Sequence, residues 1–128
     1  MQQIFYLMIA TLCLLDAVPE MRLCADLSHF VVDREFKLPL DARDAGLIQR
    51  IIARSDSFQG RVASRQQIQL QLNFPQHQKW VDLFRQWWRD GLVSWRQRNL
   101  TTLLQLKMMV EVYRLIYIKV KRCPQQKL

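Results

Sequence analysis

The chain has 128 residues, half of them hydrophobic and 23% charged, which excludes a disordered tail; three Gly and four Pro exclude a collagen-like or linker sequence. The length suits one domain and falls short of the roughly 250 residues that close a (β/α)8 barrel. The formal charge of +8 is unevenly placed: residues 1–75 hold eight Lys/Arg and eight Asp/Glu, whereas residues 76–128 hold eleven Lys/Arg against Asp82, Asp90 and Glu111.

Ile4–Leu15 is apolar apart from Thr11. Twelve residues are too few to span a bilayer, which takes about 20. The run has the length of a signal-peptide core, but the first cation is Arg22. Leu15-Asp16-Ala17 and Leu23-Cys24-Ala25 both put Leu at the outer position of a cleavage site. A buried helix over Ile4–Val18, ended by Pro19, is the reading taken, with no membrane partner. Arg22–Asp26 is a short, mostly apolar run between turn signals and fits a buried strand. Ser28–Leu40 is mixed. Asp41 then caps a helix, Asp44 favours its positive end, and Leu47, Ile48, Ile51 and Ile52 share one face.

Phe58–Ala63 is a second strand candidate. Gln67–Phe74 alternates Gln/Asn with Ile68, Leu70, Leu72 and Phe74, the pattern of a half-buried strand that stops at Pro75. Gln76–Arg98 is an amphipathic helix with Trp80, Leu83, Phe84, Trp87, Leu92 and Trp95 on its stripe; Gly91 weakens its middle. Over Leu103–Val120 helix and strand compete. Alternating helices and strands predict βα units around a parallel sheet.

Asp26-Leu27-Ser28-His29 follows the first strand directly, and in parallel α/β folds active sites lie at the carboxyl ends of strands. An Asp there supplies a hard oxygen for a divalent ion, and a His three residues on holds a hydroxyl or a metal. Arg61, charged within a small or apolar stretch, can grip a carboxylate or phosphate, or simply form a surface ion pair. His77 reads as a helix-terminus residue and the four Trp as core. No P-loop, GxGxxG, GxSxG or HExxH motif occurs. Cys13, Cys24 and Cys123 have no zinc spacing and fit reduced thiols in the cytoplasm.

Taken together, several segments resemble one family. Leu14–Phe30, with its Pro19, Leu23, Ala25-Asp26 and Ser28-His29-Phe30, resembles the P-x-L-x-L-x-A-D-x-S-H-W/F stretch of the xylose isomerase-like TIM-barrel proteins, the sugar phosphate isomerase/epimerase group. Phe58–Ala63 is similar to that group's H-x-H-x-R-V-G strand, Gln67-Ile68-Gln69 to its P-Q-V loop, and Phe74–Trp80 with Phe84–Trp88 to its aromatic helix.

The resemblance implies an α/β chain forming part of a (β/α)8 barrel, about three βα units with parallel strands. The family-like portion is about 14–98, and 99–128 is a divergent basic tail. It implies a divalent metal (Mg2+, Mn2+ or Co2+), with Asp26 as a ligand and His29 and Arg61 contacting substrate. Gln59 stands at the family's ligand His, and Glu111, in Glu111–Tyr117, at its last ligand Glu without the Gly-Pro. The ligand set is therefore incomplete, and the implied site holds its metal weakly or not at all. The implied activity is isomerisation of a keto-sugar or polyol, weak or absent in this chain, which reads as part of a longer barrel. The implied partner is a sugar or keto acid, and open strand edges leave room for self-association. The alternative is a small basic α+β module whose positive half binds nucleic acid or an acidic partner; nucleic acid is not expected under the leading reading.

Overall fold

The computed structural model describes residues 7–122, with side chains through residue 115. Ile4–Tyr6 of the expected first helix, and Cys123, lie outside them. The chain divides into two compact units, Met1–Trp95 and Arg96–Leu128.

In the first unit the order is α1 (Leu7–Ala17), β1 (Leu23–Ala25), α2 (Leu27–Asp33), α3 (Ala42–Ala53), β2 (Ser55–Phe58), a 3-10 turn (Pro75–His77) and most of α4 (Gln78–Arg98). Strands β1 and β2 pair in parallel, with Leu23 opposite Ser55, Cys24 opposite Ser57 and Ala25 opposite Phe58; the register slips once, between Leu23 and Cys24. Helices α2 and α3 fill the crossover.

This is not a partial (β/α)8 barrel of three βα units. Among the described residues the sheet has two short strands and the rest of the regular structure is helical. Two segments account for the difference. Gln67–Phe74 forms no strand: Leu70 donates one backbone bond to Val62 O (2.9 Å), Ser64 donates to Gln67 O (2.9 Å), and of the alternating apolar residues Leu70 alone is buried. Alternation stabilises a strand when a neighbouring ladder satisfies its backbone, and none is present here. Leu103–Val120 lies wholly within helix α5 (Leu100–Arg122), so it adds no strand either. The second strand also sits earlier than Phe58–Ala63, ending at Phe58.

The core of the first unit is built from its helices, with Phe36, Val62, Ala63 and Leu70 added from the loops. Met8, Leu12 and Leu15 of α1, Phe30 and Val31 of α2, and Ile48, Ile51 and Ile52 of α3 are buried. Asp41 caps α3 as the sequence predicts, its carboxylate accepting from Asp44 N at 2.7 Å. Helix α2 closes with Phe36 N bonded to Val31 O and Glu35 N to Val32 O, both at 3.1 Å, with Glu35 in the left-handed region (φ 47). That turn satisfies the last carbonyls of α2 and drives Phe36 into the core, where it meets Trp87 edge-on at 6.4 Å.

Polar ties link these elements. Asp33, itself buried, accepts from Met8 N in the first turn of α1 (3.2 Å). Arg34 donates twice to Asp44 Oδ1, at 2.8 and 3.0 Å, joining α2 to the start of α3. Arg54, between α3 and β2, donates to the carbonyls of Leu15, Val18, Pro19 and Met21, the turn that leads from α1 into β1.

The buried face of α4 is Trp80, Val81, Phe84, Trp87 and Gly91. The expected Leu92 lies off it, 62% exposed, because Gly91 takes the contact position. A Cβ at Gly91 would overlap the ring of Phe58. Gly91→Ala gains about 1 kcal/mol of helix propensity and loses roughly 1–3 kcal/mol to overpacking. Thermal unfolding is expected to show net destabilisation; a raised melting temperature would mean that Phe58 moves aside freely.

In the second unit α5 is a single 23-residue helix, and its side chains through residue 115 are mostly exposed. No helix among the described residues is long and apolar enough to cross a membrane.

Candidate functional site

Asp26 is the first residue after β1. Its backbone is extended (φ −100°, ψ 92°), and Oδ1 accepts from Ser28 N at 3.2 Å, capping α2. The Ser28 hydroxyl, fully buried, donates to the same oxygen. One carboxylate oxygen is thus committed to starting the helix, and Oδ2 faces two other groups.

His29 lies three residues on, close to one helical turn, and its Nε2 is 3.5 Å from Oδ2. Arg61 arrives from the other strand. Gln59 N donates to Ala25 O at 2.9 Å, extending the pairing past β2 and bringing Arg61 to the same end of the sheet. Its Nε lies 3.6 Å from Oδ2. The Asp26 side chain is 10% exposed, Arg61 37% and His29 52%. The imidazole and guanidinium are therefore the exposed members of the cluster, and the carboxylate between them is shielded.

Arg61 also lines a cleft of about 310 Å³, with Gln59 and Gln69 as its other long polar side chains and Val62, Leu70 and Leu72 as its apolar wall. That volume suits a small metabolite. Asp26 and His29 do not line it; Arg61 is shared between carboxylate and cleft.

The structure brings Asp26, His29 and Arg61 together, and Gln59 shares the cleft wall with Arg61 alone of the three. Glu111 belongs to α5, in the second unit. His77 ends the 3-10 turn, where its Nδ1 is 2.8 Å from Gln71 O and its ring meets Phe74 at 5.6 Å, in keeping with its reading as a helix-terminus residue. Ser28 and Gln69 were not singled out by sequence reasoning. The Asp-x-Ser spacing carried a signal for Ser28, because a capping Asp bonds two residues on. For Gln69 the alternation of Gln67–Phe74 points to a strand, and the resemblance of Gln67-Ile68-Gln69 to the P-Q-V loop is the one signal that sets it near the site.

The donors do not fit a divalent ion. Among the described residues no three His, Cys, Asp or Glu side chains gather as ligands. The guanidinium already facing Asp26 Oδ2 would repel a second cation there. Gln59 offers a neutral amide, a poorer ligand than imidazole or carboxylate.

No protein-family model, no curated protein and no solved structure matches the chain.

Substitution at Asp26 separates its two tasks. Asp26→Ala removes the cap and is expected to cost about 1 kcal/mol in urea unfolding. Asp26→Asn keeps an acceptor for Ser28 N, costs less, and releases His29 and Arg61. Equal losses for the two variants would show that the cap contributes nothing.

Proposed function

We propose that the first unit binds a small hydroxylated anion, a sugar phosphate or keto acid, of the kind implied by the resemblance to the sugar phosphate isomerase/epimerase group. The observation that carries the reading is the convergence of His29 and Arg61 on one shielded carboxylate beside a cleft of metabolite size. Arg61 pairs with the anionic group, His29 holds a hydroxyl, and Gln59 and Gln69 supply neutral hydrogen bonds. Turnover by this chain is weak or absent, because isomerisation in that group rests on a metal and the donors around Asp26 do not suit one. The three widely spaced cysteines, Cys13, Cys24 and Cys123, fit reduced thiols and a cytoplasmic location.

Calorimetric titration of the full chain with ketose phosphates and 2-keto acids tests this. We expect saturable binding that Arg61→Ala weakens by roughly 10–100-fold, the loss of a charge-assisted contact, and that added Mg2+ or Mn2+ leaves unchanged. Arg61→Ala binding as tightly as wild type, or no ligand binding at all, contradicts the site. Metal-dependent turnover contradicts the reading of Asp26 as unsuited to a cation.

A further inference from the structure

Helix α5 plays no part in that site, and its composition sets it apart. Leu106, Met108, Met109, Val110, Val112 and Tyr113 are 53–70% exposed, far more apolar surface than an ordinary solvated helix carries. At 3.6 residues per turn, the apolar positions of 106–115 cover an arc of about 220°. Lys107, Glu111 and Arg114 recur at i, i+4 and i+7 and form the one polar stripe opposite it. Over its length α5 carries Lys107, Arg114, Lys119, Lys121 and Arg122 against Glu111 alone.

Two features decide what such a surface fits. A second copy of the helix would cover a seam at heptad spacing, through Leu103, Leu106, Val110 and Tyr113. That seam leaves Met108, Met109 and Val112 in water, whereas the acyl region of a bilayer covers the whole arc at once. The excess of cations then matches an anionic headgroup layer, and Tyr113 is a residue type that settles at the membrane–water boundary. Three charges between 107 and 114 keep the helix from spanning, in line with the absence of a membrane-crossing helix among the described residues.

We propose that α5 lies flat on the anionic surface of a lipid bilayer, its apolar arc in the acyl boundary and its charged stripe, Lys107 and Arg114 with Glu111 between them, at the headgroups. The whole chain then joins a membrane surface to a small-molecule site, and neither assignment depends on the other.

The test is co-sedimentation of the full chain with vesicles of phosphatidylcholine alone or mixed with phosphatidylserine. Binding is expected to the mixed vesicles, to fall as salt rises, and to be weak on phosphatidylcholine. Met109→Glu/Val112→Glu should abolish it, and Lys107→Glu/Arg114→Glu should weaken it by at least roughly tenfold. Both pairs are exposed, and near-UV circular dichroism of the Trp-rich α4 checks that the first unit stays folded. No binding to the mixed vesicles, or binding that survives Met109→Glu/Val112→Glu, overturns the proposal. So does dimerisation in the ultracentrifuge, or salt-sensitive RNA binding, that the same variants abolish while vesicles bind nothing.

Discussion

The parallel pairing of two very short strands is the constraint on which the first unit depends. Leu23–Ala25 and Ser55–Phe58 run side by side, so the residues that follow each strand leave from the same end. Asp26 follows one strand and Gln59–Arg61 the other. An antiparallel pairing would carry Arg61 to the opposite end from Asp26 and dissolve the site. The two-stranded sheet is too small to stand alone, since even a hairpin is marginal in water. Ala25 and Ser55 anchor it in the interior, and polar ties hold its entry and exit.

Those ties are placed at both ends of the strands. At the entry, Arg54 draws four carbonyls of the α1–β1 turn toward the start of β2, and Leu23 N donates to Arg54 O at 2.9 Å. At the exit, Asp26 uses one oxygen to begin α2 and the other to face His29 and Arg61. Phe58, the last residue of β2, lies against Gly91 of α4, so the long helix is keyed to the strand that delivers Arg61. Stability and the candidate site therefore share residues: Asp26 is both a helix cap and the anchor of the cluster.

The sequence made some of this legible and hid the rest for identifiable reasons. Asp41 and the isoleucines of α3 announced a capped amphipathic helix because both signals are local. Asp26 and His29 were legible as candidates because they follow a short apolar run, and Arg61 because it is charged within a small or apolar stretch; the family resemblance is what joined the three. The barrel was not there to be read: alternation at Ile68–Phe74 specifies two faces and says nothing about a partner strand. Helix α2 was hidden because seven residues within a mixed stretch show too little periodicity. Gly91 looked like a weak point in α4, and Leu92 like part of its buried stripe. Both assignments change once the Phe58 ring is known to need the space, which is a contact between distant segments that no local pattern encodes.

The most direct test of this account is the pattern of nuclear Overhauser effects in the full chain in solution. Parallel pairing predicts backbone amide-to-Hα contacts between 23–25 and 55–58, together with contacts from the His29 ring to the Arg61 side chain at the strand ends. Close Hα–Hα contacts of an antiparallel ladder, or an Arg61 side chain that touches residues at the Leu23 end and not His29, would contradict it.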